Sequence, residues 1–250
     1  MSHPRRGLAA VPFIAIAIVA LAGTIDPRKD DAKHREYGDK FKCVARIVCR
    51  NAKTGVEQSA SCVIVSPRCV VTAAHVVDGC EEHFVLCDNG ERHDIESVAT
   101  HPDFANEKSV DLAVCKAKRP FSLDFYPPLH ALKDEPGQVA SISGYGLTGT
   151  FDTGGVIYDG QKRAGSNVVD RAERGLLICS VDSHRKTELE FLIASGDSGG
   201  GLFLGNELAG INSFLMVAGR SPMARRGEES AHTRISEYRE WIEGAINGEK

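Results

Sequence analysis

The 250-residue chain carries one tryptophan, three methionines and only 6% aromatic residues. It has no positive excess: 30 basic residues face 34 acidic ones, a formal net charge of −4. A surface that follows nucleic-acid phosphates needs a strong basic excess, so no nucleic-acid partner is expected. There is no internal repeat and no low-complexity tract, which excludes solenoid, collagen-like and coiled-coil architectures. After the first 22 residues, no apolar run approaches the roughly 20 residues a membrane-spanning helix needs. No C-x-x-C pair occurs, so no metal site is expected, and no cofactor either. What remains is ordinary globular composition: 42% apolar residues, 25 glycines, 10 prolines and eight cysteines.

The N-terminus reads as an address. Arg5 and Arg6 precede an apolar run, Leu8 to Ala22, that contains Pro12 and ends in Ala20-Leu21-Ala22. A charged start, a short apolar middle and a small-residue exit describe a secretory signal over residues 1–22, with an uncleaved anchor as the alternative. A cut after Ala22 removes Arg5 and Arg6 and takes the net charge from −4 to −6. The expected location is secreted or periplasmic, with no stable membrane insertion once the signal is gone. Eight cysteines, an even number with none in the signal, agree with export and disulfide bonding. Six of them (Cys43, Cys49, Cys62, Cys69, Cys80 and Cys87) crowd together, while Cys115 and Cys179 stand apart. A symmetric hairpin of 44–50 with 60–65 would set Cys49 opposite Cys62. Alternatively, Cys62 or Cys69 joins Cys80 and clips the loop after His75.

Short β-branched runs broken by turn residues fill the body of the chain: Val44–Val48, Cys62–Val65, Cys69–Thr72, His83–Leu86, Leu112–Cys115, Val139–Ser143, Leu176–Cys179, Gly201–Leu204 and Leu208–Asn212. Asp88-Asn89-Gly90 and Gly205-Asn206 read as hairpin turns. Many short strands at this spacing predict an all-β sandwich or barrel protein. Pro120, Pro127, Pro128 and Pro136 mark a connection between two halves. Ile235, Tyr238, Trp241, Ile242 and Ile246 share one face at helical spacing, which predicts a C-terminal helix. The expected organisation is a lead-in over 23–40, solvated and flexible through Arg28–Lys33, then halves over 41–125 and 126–234, then a helix and tail over 235–250.

Three short motifs carry chemistry. In Gly196-Asp197-Ser198-Gly199-Gly200 the glycines let the backbone turn sharply and bring N–H groups close to a reacting oxygen. A serine hydroxyl is a weak nucleophile until a base takes its proton. Histidine suits that task, since its ordinary pKa of about 6.5 leaves it neutral at working pH. Thr72-Ala73-Ala74-His75 supplies one directly after an apolar strand. The imidazole then needs an acceptor, and Asp111, opening the strand Asp111-Leu112-Ala113-Val114, is a carboxylate at a core edge. Asp94 and Asp103 are rivals, but neither leads directly into an apolar strand. The remaining histidines, His83 among them, read as solvated or structural.

Together Thr72–His75, Asp111–Val114 and Gly196–Gly200 resemble the chymotrypsin/trypsin-like serine peptidases, in that family's order. His101-Pro102, Gly144-Tyr145-Gly146 and Thr233–Ile242 add to the likeness. The resemblance implies two six-stranded antiparallel β-barrels packed together, with a C-terminal α-helix. His75 and Asp111 come from the first barrel, and Ser198 from the second. It implies a secreted serine endopeptidase that works through an acyl-enzyme, with an oxyanion hole at Gly196 and Ser198 and a rate that rises with pH as His75 loses its proton. Its partners would be peptide or protein substrates and protein inhibitors, and it would act as a monomer. A non-catalytic binding protein on the same scaffold is the alternative.

The sequence departs from that pattern in two places. Asp197 stands where the family pairs a buried carboxylate with a newly cut N-terminus, yet no basic residue precedes an Ile-Val-Gly-Gly run. Arg46-Ile47-Val48 lies inside a predicted strand. Either a terminus near Gly23-Thr24-Ile25 supplies the ammonium, or an internal cation or hydrogen-bond donors satisfy Asp197. The substrate pocket differs as well. Leu192 occupies the floor where a Lys/Arg cleaver has an acid, and Ser213, Phe214 and Leu215 form the wall, with Ser230 at a second wall position. An apolar floor cannot neutralise a cation, so a small or medium apolar residue is expected before the cut.

Overall fold

The structure, a computed structural model, describes residues 23–107, 110–182, 186–216 and 223–248. The expected signal peptide therefore lies outside the described residues, as does His184. The elements run β1 (Thr24–Ile25), α1 (Asp31–Gly38), β2 (Val44–Asn51), β3 (Glu57–Ile64), β4 (Cys69–Thr72), α2 (Ala74–Val77), β5 (Cys80–Leu86), β6 (Arg92–Thr100) and β7 (Ala113–Ala117). After the connection come β8 (Val139–Gly144), β9 (Thr148–Thr150), β10 (Gly154–Ile157), β11 (Arg163–Val168), β12 (Arg171–Glu173), β13 (Leu176–Ser180), β14 (Phe191–Leu192), β15 (Gly201–Leu204), β16 (Glu207–Met216), β17 (Glu229–Arg234) and α3 (Ile235–Asn247).

The first half closes into the expected six-stranded barrel, in the order β2-β3-β4-β7-β6-β5. Closure removes both sheet edges, and Val44, Ile47, Val63, Val71, Val85 and Val114 are all buried in one apolar cluster. In the second half, β11-β8-β15-β16-β17-β13-β12 form a seven-stranded sheet whose ladder does not close. A smaller sheet, β10-β9-β1-β14, packs beside it. The helix α3 returns to the first barrel: Ile235 and Ile242 are buried in its core. The ring of His101 lies 5.3 Å from Tyr238 and 4.8 Å from Trp241.

The flexible lead-in expected before residue 40 is instead built structure. Thr24 and Ile25 are buried, pairing antiparallel with Leu192 and Phe191 and parallel with Gly149 and Thr150. Asp30 caps α1 by accepting the Ala32 N–H at 2.9 Å. Asp31 receives Arg163 Nε at 2.5 Å and Nη2 at 2.7 Å, and the buried His34 donates from Nδ1 to the Ala164 carbonyl at 3.0 Å. Of the charges that read as a solvated run, Asp31 is thus committed to β11, while Arg28 and Lys33 remain exposed.

The proposed cysteine pairings do not fit the register. Ala45 faces Cys62 and Cys49 faces Gln58, so the β2–β3 hairpin separates Cys49 from Cys62. Cys80 faces Asn51 on β2, whereas Cys69 faces Lys116 on β7. All eight cysteines are free thiols in the structure.

Candidate active site

His75 sits on the single turn α2, directly after β4. The strand is anchored by Thr72, whose hydroxyl donates to the Ser61 carbonyl at 2.8 Å. Asp111 precedes β7 and is 2% exposed. Its carboxylate accepts the His75 backbone N–H at 2.8 Å and lies 2.6 Å from His75 Nδ1. Ser213 Oγ donates to the same carboxylate at 2.5 Å, and Thr233 Oγ1 donates to the Asp111 carbonyl at 3.1 Å. Burial alone would raise the Asp111 pKa, but the bonds and charge from His75 and the Ser213 hydroxyl outweigh it and hold the carboxyl below its ordinary value. Asp111 is therefore an ionised acceptor facing Nδ1, which leaves Nε2 as the nitrogen free to take a proton. The rival acids lie elsewhere: Asp94 pairs with Arg92 at 2.8 Å, and the exposed Asp103 adjoins His101.

Ser198 arrives from the second half on the loop between β14 and β15. Gly199 follows it at φ +83°, and a Cβ there would come within 2.1 Å of both Thr72 Oγ1 and the Ser61 carbonyl. Only glycine lets this loop lie so close to the strand that carries His75. Ser198 Oγ donates to the Ser213 carbonyl at 3.4 Å and makes no hydrogen bond to His75. Ser213 thus joins the hydroxyl to the Asp111–His75 pair. Ser61 fastens the loop from the first barrel: its N–H donates to the Ser198 carbonyl at 2.9 Å, and its hydroxyl donates to the Gly196 carbonyl at 2.9 Å. Neighbouring N–H groups are committed, Asp197 to Ala194 at 3.2 Å and Gly199 to Asn212 at 2.7 Å. Among the described residues, those of Gly196 and Ser198 donate to no protein acceptor.

Asp197 is fully enclosed. Its carboxylate accepts the backbone N–H groups of Gly146 and Ala194, each at 3.1 Å, and that of Gly23. No cation among the described residues forms an ion pair with it. Burial pushes its pKa up to about 7 against the pull of these three N–H groups. Gly23 reaches this position because it has no side chain: a Cβ would lie 2.0 Å from the Phe191 ring. Behind the loop, Asn212 Nδ2 donates to the carbonyls of Ser143 at 3.1 Å and Asp197 at 3.2 Å. Asn212 Oδ1 lies 2.9 Å from Nδ1 of His232, whose pKa burial pushes down to about 3, so this histidine is a neutral donor.

At the expected pocket, Leu192 is fully buried with Phe151, Val181, Ala194 and Ala224, and Leu215 packs against this cluster. Leu215 faces Ser230 across β16–β17, and Ser230 Oγ donates to the Cys179 carbonyl at 3.2 Å. Phe214 is 40% exposed. Sequence reading assigned Ser213 to the pocket wall and missed its bond to Asp111. The roles of Ser61, Asn212 and Thr233 are not legible in the sequence, because each acts through a contact across the fold.

A closed β-barrel, a second curved sheet, a returning helix and a serine-bearing loop at the seam define the chymotrypsin-like serine protease fold. The sequence matches the protein family described as Trypsin over residues 33–242, and the chain belongs to that family. Among solved structures it is similar to HL collagenase, with a TM-score of 0.66 and 19% identity over 84% of this chain and 95% of that one. It is similar also to neuropsin, a serine protease expressed in the limbic system of mouse brain, with a TM-score of 0.66 and 18% identity over 84% and 96% of the two chains. No curated protein sequence matches.

Proposed function

We propose that the chain is a secreted serine endopeptidase whose nucleophile is Ser198, with His75 as base and Asp111 as the group that orients it. The observation that carries this reading is the connected row from Ser198 through Ser213 to Asp111 and His75, at 3.4, 2.5 and 2.6 Å. Ser198 Oγ attacks the scissile carbonyl while His75 Nε2 takes its proton and then returns it to the leaving amine. Water repeats the cycle to release the acyl group. The unclaimed N–H groups of Gly196 and Ser198 receive the oxyanion, and one such donor is typically worth about 3 kcal/mol in the transition state. The buried apolar cluster around Leu192, crowded by Leu215, favours a small or medium apolar residue before the cut. The test is covalent labelling by a serine-directed fluorophosphonate. Modification should fall on Ser198 and vanish in Ser198→Ala; persistent labelling or turnover in that variant refutes the assignment.

The Gly23 contact supports activation by removal of the leader itself. Cleavage between residues 22 and 23 turns the Gly23 N–H beside Asp197 into an ammonium, pairing a carboxylate that otherwise has only dipoles. Active secreted protein should then begin at Gly23, and a mature start beyond Lys33 rules this out. The bond from Ser198 Oγ to the Ser213 carbonyl rather than to His75 favours a second reading, a binding protein on a peptidase scaffold. The same label separates the two: a leader-free chain that stays unlabelled is a binding protein.

A further inference from the structure

At one end of the first barrel, Cys49, Cys80 and His83 bring two sulfurs and a ring nitrogen within 4.8 Å of one another. We propose that these three residues form a binding site for a thiophilic divalent cation of the zinc class, separate from the reaction centre.

The backbone explains how the cluster arises. Side chains three residues apart in a regular strand point to opposite faces. The β2–β5 ladder, however, pairs Cys49 with His83, Arg50 with Glu82 and Asn51 with Cys80, leaving Glu81 as an extra residue in a bulge. Counting across the ladder, Cys49, Asn51, Cys80 and His83 all fall on one face. The bulge thus turns Cys80-Glu81-Glu82-His83 into a C-x-x-H pair aimed at Cys49. This C-x-x-H spacing is visible in the sequence, although it is not a C-x-x-C pair.

The environment suits a metal. Cys49 is 1% exposed within the barrel core, and Cys80 packs against that core while remaining partly open. One contact holds an outer ligand in place: His83 Nε2 lies 3.3 Å from the Val77 carbonyl. A backbone carbonyl beside a ligand imidazole is the usual outer support of such sites. Zinc–sulfur bonds of about 2.3 Å and zinc–nitrogen bonds of about 2.0 Å bring tetrahedral ligands to about 3.5 Å apart, so the cluster needs only a small contraction. Binding replaces two thiol protons, released to solvent, by one divalent cation. The buried site stays neutral, and the fourth position is left to water.

A disulfide between Cys49 and Cys80 is the competing use of the same atoms. The register disfavours it. The two residues are diagonal across the ladder, and diagonal Cα atoms in a regular ladder lie about 7–8 Å apart. A disulfide needs roughly 4.4–6.8 Å. The site also backs onto the Val76 and Val77 carbonyls of the turn that carries His75, so its occupant braces that turn.

The test titrates the reduced, metal-stripped full chain with Co(II) under anaerobic conditions and then with Zn(II). The expected result is one Co(II) per chain with an intense thiolate-to-cobalt band, bleached by one equivalent of Zn(II). Affinity should fall at least 100-fold in Cys80→Ser and at least 10-fold in His83→Gln. Both positions are partly exposed, which spares the barrel core. The absence of a thiolate band in the parent chain overturns the proposal without reference to any variant. So does a band undiminished in both variants. Recovery of a Cys49–Cys80 disulfide from protein purified in the presence of Zn(II) overturns it as well.

Discussion

The two halves of the molecule solve the same packing problem with different chemistry. The first barrel closes on itself and fills with valine, isoleucine, alanine and cysteine. The second sheet stays open and, beside an apolar cluster of its own, buries a polar lattice: Ser143, Asn167, Asp197, Asn212, Ser230, His232 and Thr233 are all 1% exposed or less. An apolar core tolerates small rearrangements, whereas a buried polar lattice is stable only when each donor has its acceptor. The half that presents Ser198 is thus the half whose geometry is most tightly specified. It also borrows a strand, β1, from outside its own span, and takes the Gly23 N–H with it.

The largest expected effect breaks the link between the halves. Asp111 belongs to the first barrel, but two of its partners, Ser213 and Thr233, come from the second sheet. Asp111→Asn keeps the shape and offers His75 the wrong partner, so turnover at neutral pH should drop about 10⁴-fold with the fold unchanged. Initial rates and circular dichroism check this together; a loss under 10-fold means that Asp111 does not orient the base.

Next in size is the pH dependence of the uncleaved chain. Asp197 titrates near 7 when folded, against an ordinary value of 3.8. A raised carboxyl pKa means that the folded state holds its proton more tightly. The associated stability is fully present below about pH 4 and is lost as pH rises towards 7. The full loss is about 4 kcal/mol. Carboxylates with lowered pKa values, Asp111 and Asp31 among them, slope the other way, so the quantity to read is the difference between the parent and Asp197→Asn. Urea unfolding from pH 4 to 8 should show the parent losing stability relative to this variant, and leader-free protein should lose this difference. Parallel curves for the uncleaved pair refute the buried, unpaired carboxylate.

The asymmetry between the halves also governs what the sequence discloses. β2, β4 and β13 were legible because their buried positions are apolar. The strand β17, Glu-Ser-Ala-His-Thr-Arg, was not: its interior is buried but polar, so no hydrophobic period marks it. In β6, Arg92–Thr100, most positions are exposed, and the pattern again fails. At the site, His75, Asp111 and Ser198 were readable as motifs because local backbone demands surround them. Ser61 and Asn212 act through partners 84 and 15 residues or more away along the chain, a relation no local pattern carries.

Ser61 gives a smaller effect and a sharper comparison, since it is a first-barrel residue serving the second half. Its hydroxyl donates to the Gly196 carbonyl and accepts the Tyr145 N–H, both at 2.9 Å. Ser61→Ala orphans a buried N–H at a cost of about 1–3 kcal/mol. Because the loss falls on the loop that carries the proposed oxyanion donors, kcat should fall about 10-fold with KM nearly unchanged. An unchanged kcat with lowered stability would reduce Ser61 to a structural role.

The smallest effect concerns which substrate is cut rather than how fast. Leu215 leans on the cluster of Leu192, Ala194 and Ala224, and it faces a small partner, Ser230, across the ladder. Leu215→Gly removes that bulk without adding charge. The vacated volume should admit an aromatic side chain, raising kcat/KM for phenylalanine over alanine before the cut by about 10-fold or more, the scale of a single methylene in an apolar pocket. Lysine and arginine should gain nothing, because Leu192 still offers their charge no partner. A peptide panel separates the contributions of wall and floor. If the parent enzyme already cleaves fastest after lysine or arginine, neither residue shapes the pocket; if only the variant's aromatic preference fails to appear, Leu192 sets the depth and Leu215 does not.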